Sequence, residues 1–374
     1  MDRNYNLQAP VPVVNRKENE ALDILTERYN KLIEPGMVAK LGAKAGQLIP
    51  EKIRALGHDI GANISEQEIY TQMMNVIAGG FKAVEEQAAK FSISEKQILC
   101  RVNQCSSNYE ISRLDEICFV RSYDLAKLVS KYKGQDTFAA TVEGGGTGVF
   151  GFWGLPFNLV LSTFLYFRAV QSIAMFYGYD VKNDSAELVI ASEVFTSALS
   201  PTNNDVNNEA TNIIGKIMLM SQAAVVKQTA KKTWTDMAAR GGIPLLLVQM
   251  RALANKSAQK ALQNVGAKGL ENNLFKEAFE QIGRKLTLKA VGKAVPVVSA
   301  VIGALIDTAQ MKRVLEFADI FYQKRFIMEK ENRIYTLIGT ETIIDAEIIE
   351  DNTDVAHRTR NRQTSYGQGN ESPL

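Results

Sequence analysis

Residues 144–179 read GGGTGVFGFWGLPFNLVLSTFLYFRAVQSIAMFYGY and decide how the rest of the chain is interpreted. The only side chain in this segment that is charged at neutral pH is Arg168. Gly144 and Gly148 are four residues apart, so on a helix they leave a groove without side chains into which another helix can pack. We therefore predict that the protein is built around this glycine-rich, nearly uncharged segment.

The apolar part of this segment, residues 150–167, approaches the roughly 20 residues that a transmembrane helix needs. Small and polar side chains lower its hydrophobicity, namely those of Gly151, Gly154, Pro156, Asn158, Ser162 and Thr163. The pattern therefore favours a helix that is buried in the protein or lies at a membrane interface. A true transmembrane helix stays open as the alternative.

A second apolar run, residues 294–306, contains Pro296 and is followed by Asp307. Its 13 residues are too few to cross a bilayer alone. Asn158 and Asp307 each lie in an otherwise apolar helical pattern, where a polar group without a partner is costly to bury. We hypothesise that these two side chains bond to each other or to a backbone group.

Helical patterns recur along the rest of the chain. One begins after Asn15 and stops at Pro35, and capping boxes at Ser65 and Ser94 mark two further helix starts. Longer patterns cover residues 205–240, 244–264, 271–291 and 296–330. Because alternating apolar and polar segments are nearly absent, we predict an all-α, multi-helix bundle around two glycine-rich apolar blocks.

Three regions are predicted along the chain. Residues 1–14 form a flexible arm, residues 15–335 a single helical domain, and residues 336–374 an extended, mostly disordered acidic tail. Within the tail, β-branched pairs between Ile343 and Ile349 alternate with acids and fit a short strand.

The charges are unevenly distributed, because residues 216–293 contain 14 Lys and Arg against 4 Asp and Glu. An anionic membrane surface attracts such a basic region. The cations assigned to it are Lys227, Lys231, Lys232, Lys285 and Lys289. The alternative is that they are the solvated faces of long helices. Nucleic acid is not expected as a partner, since aromatic residues other than Trp234 do not interleave with the basic ones.

No catalytic constellation is visible in the sequence. Residues 146–151 match G-x-G-x-x-G, but the next acid is Asp180 and Pro156 interrupts the helix that should follow, so nucleotide binding is not expected. The two histidines, His58 and His357, are far apart in sequence and form no metal-binding motif. We therefore predict a non-enzymatic protein without cofactor or metal.

The three cysteines, Cys100, Cys105 and Cys118, are odd in number and have no accompanying histidines. They are predicted to be reduced thiols, which fits a reducing compartment. The N-terminus lacks the basic and then apolar layout of a signal peptide. We expect a cytoplasmic protein, peripheral on the inner face of the cell membrane.

Residues 143–148 (EGGGTG), 154–159 (GLPFNL) and 174–180 (AMFYGYD), followed much later by residues 294–304 (AVPVVSAVIGA), resemble the EcsC family in order and spacing. The resemblance extends from about residue 21 to residue 330. Asn158 stands where the family pattern has aspartate. The resemblance implies a bacterial origin, a helical fold and a membrane connection near an ABC-type transporter, and it assigns no catalytic residue.

The leading hypothesis is a membrane-associated helical protein whose two apolar blocks pack together and meet an anionic bilayer. The residues assigned to these blocks are Gly144, Gly148, Gly151, Trp153, Pro156, Asn158, Phe164, Arg168, Tyr177, Tyr179, Pro296 and Asp307. Three alternatives stay open. They are a soluble adaptor that binds a protein partner through the peptide from Ile343 to Ile349, a carrier of lipid or another apolar ligand, and a pore-forming effector.

Overall fold

A computed structural model describes residues 8–34, 94–106, 109–134, 155–199, 209–220, 242–290 and 308–339. Its helices are α1 (Arg16–Ile33), α2 (Glu95–Cys105), a 3-10 helix η1 (Leu114–Phe119), α3 (Ser122–Lys133), α4 (Leu155–Phe176), α5 (Ser185–Leu199), α6 (Glu209–Met220), α7 (Ile243–Ala290) and α8 (Thr308–Ile338). The described residues contain no strand. The predicted all-α, multi-helix fold is therefore confirmed.

Of the two predicted capping boxes, the one at Ser94 is confirmed and the one at Ser65 lies outside the described residues. Asn15 caps α1 through a reciprocal pair of bonds with Glu18, and Ser94 caps α2 in the same way with Gln97. Helix α1 ends at Ile33, shortly before the proline at which the helical pattern stops.

Helix α7 joins two of the predicted helical patterns. It contains one residue with non-helical backbone angles, Gly266, whose φ is +69°. This break falls between the patterns at 244–264 and 271–291. The chain can break at Gly266 because glycine adopts positive φ without steric cost. Pro244 lies in the first turn of α7, where a missing N–H is tolerated.

Helix α8 lies at the centre of the bundle. It packs against α1, η1, α3, α4, α5 and α6. Its buried side chains include apolar ones such as Phe321 and Phe326, and also Lys324, Arg325 and Lys330. A helix that is surrounded in this way has no solvated stripe, so its sequence shows charged and apolar residues without a clear amphipathic period.

Contacts along α8 fix the directions of its neighbours. Helix α1 is antiparallel to α8, because Glu18 contacts Lys330 and Arg28 contacts Asp319. Helix α3 is also antiparallel, since Lys330 donates to the Val120 carbonyl just before α3, whereas Lys133, the last residue of α3, contacts Asp319.

Helix α4 runs in the same direction as α8. The backbone carbonyl of Gly178, just after α4, accepts a bond from Arg333 at 2.7 Å. Two residues earlier, the ring of Phe176 lies 5.5 Å from that of Tyr132, which precedes the Lys133 that contacts Asp319. Earlier residues of α4 therefore lie beside earlier residues of α8. The two helices are parallel and begin at the same end of the bundle.

The second half of α7 is antiparallel to α4. Glu271 contacts Arg168 at 2.7 Å, and the rings of Phe275 and Phe164 are 4.8 Å apart. The residues of α7 after Phe275 thus continue past Phe164 toward the start of α4. We call the end of the bundle where α4 and α8 begin and α7 finishes the apolar end.

Residues 8–14, which the sequence places in a flexible arm, form neither helix nor strand and contact the helical body. Arg121 donates to the carbonyl oxygens of Pro12 and Val13 at 3.0 and 3.1 Å. Tyr109 donates to the carbonyl of Gln8 at 3.3 Å. Over these residues the arm is therefore attached to η1 and its flanks.

None of the helices within the described ranges combines the length and the apolar character that a membrane span requires.

Candidate functional site

The sequence Tyr177-Gly178-Tyr179-Asp180 forms a tight turn that ends α4 against α8. Gly178 has a φ of +78°, and a Cβ atom there would lie 2.5 Å from the carbonyl oxygen of Leu114. Arg333 donates to the carbonyls of Tyr177 and Gly178 at 3.0 and 2.7 Å. The turn therefore needs glycine both for its backbone angle and for the space that η1 and Arg333 occupy.

Tyr177 points into a group of charges that we call the Asp319 cluster, formed by Asp319, Glu316, Arg28 and Lys133. The Tyr177 hydroxyl donates to Asp319 at 2.8 Å. Arg28 and Lys133 each bridge Glu316 and Asp319. The cluster thus holds α1, α3 and α4 against one stretch of α8.

Tyr179 belongs to a second group, the Glu187 cluster, formed by Glu187, Arg325, Arg251 and Glu329. Arg325 donates two bonds to Glu187, at 2.6 and 2.8 Å, and a third to Glu329 at 3.1 Å. The Tyr179 hydroxyl donates to Glu329 at 2.9 Å, and the Arg325 guanidinium lies 4.0 Å from the centre of the Tyr179 ring. Arg251 of α7 contacts Glu187 from the other side.

A third group, the Glu18 cluster, joins α1, α3 and α8. Lys330 and Glu18 have fully buried side chains and are 2.7 Å apart. Arg121 and the backbone N–H of Ser122 also donate to Glu18, at 3.0 and 2.9 Å. Burial opposes ionisation of Glu18, but Lys330 and the backbone N–H groups of Ser122 and Asn15 outweigh it and hold the pKa of Glu18 below its usual value.

The ionisable groups in these clusters have the protonation states that a structural role requires. Burial and the neighbouring carboxylates raise the pKa of Tyr177 and of Tyr179 well above the usual value, so both phenols stay protonated. Outside the clusters, burial lowers the pKa of Lys324 to about 7 against the opposing effect of Asp23, while its Nζ atom bonds to the Thr26 hydroxyl and the Met218 carbonyl. These clusters fix the position of α8 along its neighbouring helices.

The thiols and the possible metal ligands are also located. Cys100 and Cys105 are exposed and Cys118 is buried, and all three are free thiols. Burial raises the pKa of Cys118 to about 11. Across the described residues, no group of His, Cys, Asp and Glu is arranged to hold a metal ion.

The structure places several predicted residues of the apolar blocks in the core. Phe164 and Tyr177 are buried, and Arg168 is half-buried with its guanidinium 2.7 Å from Glu271. Pro156 and Asn158 lie in the first turn of α4. The part of the first block from Phe164 onward therefore serves the protein core.

Other predicted residues fall outside the described part of the chain. These are Gly144, Gly148, Gly151, Trp153, Lys227, Lys231, Lys232, Pro296, Asp307 and the peptide from Ile343 to Ile349. The hypothesised bond between Asn158 and Asp307 lies outside it as well. Lys285 and Lys289 lie on the last turns of α7, which approach the apolar end.

Sequence reasoning missed the charge clusters on α8. The signal for them was the pattern of α8 itself, in which acids and bases recur among apolar residues on every face of a long helix. Their partners on α1 and α8 are about 300 residues apart in sequence, as for Glu18 and Lys330. A single sequence contains no period or motif that joins residues so distant.

Comparison with known proteins gives one positive finding. A protein-family model, described as the EcsC protein family, matches residues 16–327, which is most of the chain. No curated protein and no solved structure matches it.

Proposed function

This chain belongs to the EcsC family, and we propose that it is a non-enzymatic, membrane-associated protein whose apolar end binds an anionic bilayer. We place it in the cytoplasm, on the inner face of the cell membrane.

The observation that supports the proposal is that α4 and α8 are parallel and begin at the same end of the bundle. Helix α4 is preceded by residues 144–154, and α8 closely follows residues 294–306; neither segment contains a charged residue. Because α4 and α8 begin at the same end of the bundle, both uncharged segments join the body at that end. Apolar segments that adjoin the body at one end suit contact with lipid acyl chains.

The packing of α4 limits which residues can meet the bilayer. Phe164 and Phe167 contact Phe275, and Phe167 also contacts Phe195 of α5. Moving these rings into lipid would break the core, and apolar rings gain little when they exchange a packed interior for acyl chains. The proposed membrane contact therefore lies before Phe164.

Basic residues accompany the apolar segments. Helix α7 passes the start of α4 and carries Arg284, Lys285 and Lys289 in its last turns. Each cation near an anionic leaflet contributes about 1 kcal/mol to binding. Lysines beside an apolar segment thus favour an anionic membrane surface over an uncharged one.

Reversing two of these charges tests the proposal. We expect the Lys285→Glu/Lys289→Glu variant to bind vesicles of phosphatidylcholine and phosphatidylglycerol at least about 30-fold more weakly than the wild-type protein, because it loses roughly 2 kcal/mol of attraction. Co-sedimentation at 0.1 M salt measures the affinity.

The same helix provides a matched control. Lys256 and Lys260 have the same spacing and are exposed, but they lie on the other side of the break at Gly266, away from the apolar end. Lys256→Glu/Lys260→Glu should bind almost as the wild type does. Equal weakening by both double substitutions would show a non-specific charge effect and contradict the proposed orientation.

The alternative of a protein adaptor stays a prediction, since the peptide from Ile343 to Ile349 on which it depends lies outside the described residues.

A further inference from the structure

Arg313 is a buried cation on α8 that differs from the other buried cations of this helix. It is 5% exposed. Within the described part of the chain, its Nε and Nη2 atoms have no hydrogen-bond partner. Arg325, on the same helix, donates instead to two carboxylates.

The neighbouring acids are already engaged. Glu316, one turn from Arg313, accepts from Arg28 through Oε1 and from Lys133 through Oε2. Asp319 binds the same two cations and the Tyr177 hydroxyl. The two acids of the Asp319 cluster are thus balanced by two cations, and the charge of Arg313 is in excess.

Burial without a counter-charge destabilises the guanidinium. It lowers the pKa of Arg313, and the phenol of Tyr29 is the one ionisable group in the described residues that acts in the opposite direction. Tyr29 is itself buried and packs edge-on against Phe317, with ring centres 5.9 Å apart. An anion bound beside Arg313 would supply the missing charge.

The two nitrogens without partners have a defined geometry. Nε–H and Nη2–H of an arginine point in the same direction and together bind two oxygens of one oxyanion. Arg113 shows this mode in the same protein, because its Nε donates to one oxygen of Asp115 at 2.9 Å and its Nη2 to the other. The corresponding nitrogens of Arg313 have no partner among the described residues.

We infer that the fork of Arg313 binds a phosphate group, as in the headgroup of an anionic phospholipid, at the apolar end of the bundle. Arg313 is five residues from the start of α8 at Thr308, or about 8 Å along the axis. Helical side chains generally lean toward the N-terminus of their helix, which for α8 is the apolar end. The inference rests on the proposed function, since it names the chemical group that the membrane-facing end recognises.

The experiment compares the full-length protein with two variants in thermal melts. The probes are dihexanoyl phosphatidylglycerol below its critical micelle concentration and inorganic phosphate, with chloride at matched ionic strength as the reference. For the wild-type protein, we expect a saturating probe to raise the melting temperature by about 3 °C or more. Arg313→Met should abolish the rise, and Arg313→Lys should reduce it, because an ammonium group lacks the planar fork.

A second readout needs no ligand. Without any probe, Arg313→Met should melt at a higher temperature than the wild type, because it removes a buried charge that has no counter-charge. A residue whose role is structural would give the opposite sign. Unfolding of this variant would therefore overturn the inference, as would equal stabilisation of the wild type and Arg313→Met by the probes.

The two probes distinguish the sources of the phosphate. Stronger stabilisation by the lipid headgroup at equal concentration assigns the fork to a phospholipid, and equal stabilisation assigns it to free phosphate; both support a phosphate site. Vesicle binding separates this inference from the proposed function. If the wild-type protein binds anionic vesicles but neither soluble probe stabilises it, the inference fails and the proposed function stands.

Discussion

Replacing Arg325 by methionine is expected to lower the free energy of unfolding by about 3–5 kcal/mol, since it removes one partner of a buried ion pair. The side chains of Arg325 and Glu187 are 1% and 3% exposed and share two hydrogen bonds. Without the guanidinium, Arg251 is the one cation among the described residues that still contacts Glu187, and Glu329 loses its bond to Arg325. Urea denaturation followed by circular dichroism measures the loss.

Arg251→Met is the matched control for this prediction. Arg251 contacts the same carboxylate of Glu187 and also Asp184, but its side chain is 44% exposed. Solvent weakens such contacts, so we expect a loss of about 1 kcal/mol or less. Similar losses for Arg325→Met and Arg251→Met would contradict the assignment of Arg325 as the centre of the Glu187 cluster.

Gly178→Ala should destabilise the fold by about 2–4 kcal/mol, because it combines backbone strain with overpacking. The φ of Gly178 is +78°, and the added Cβ would lie 2.5 Å from the Leu114 carbonyl oxygen and 2.6 Å from Nη2 of Arg333. Neither neighbour moves freely, since the first is backbone and the second binds the turn. Thermal unfolding of the purified variant measures the effect.

Gly266→Ala separates the two causes. Gly266 has a similar φ of +69°, but beyond its chain neighbours and its own helix backbone no described atom lies within 4 Å of the position that an added Cβ atom would take. It should therefore cost only the backbone strain, about 1–2 kcal/mol. If both alanine variants lose the same stability, crowding against η1 and Arg333 does not explain the need for glycine in the turn.

Local chemistry explains which parts of the fold are predictable. The capping residues of α1 and α2 and the break at Gly266 depend on a few adjacent residues, and each lies where the pattern indicates. The sequence pattern does not delimit helix α5, because this helix is buried on nearly all its faces and has no amphipathic period.

The sequence predicts where the candidate site lies, but not what its residues do. Tyr177 and Tyr179 stand out in the sequence because they end the apolar segment, whereas their bonds to Asp319 and Glu329 join residues about 150 positions apart. Arg313 gives no signal in sequence either, since whether an arginine is paired depends on what packs around it.

The charge clusters also bear on how the protein would meet a membrane. They fix α1, α3, α4 and α5 to α8, so the body is suited to act as one rigid unit. Under the proposed function, such a body would bind lipid through the uncharged segments that adjoin the starts of α4 and α8, without unfolding its core. Trp153 lies in one of these segments, two residues before α4.

Fluorescence of Trp153 tests the central claim most directly. The chain has two tryptophans, so Trp234→Phe leaves Trp153 as the sole one. With vesicles of phosphatidylcholine and phosphatidylglycerol at 0.1 M salt, we predict that its emission shifts to shorter wavelength and is quenched when the acyl chains are brominated; phosphatidylcholine vesicles alone should have little effect. Emission that stays unchanged with an excess of brominated anionic vesicles would contradict membrane binding through the apolar end.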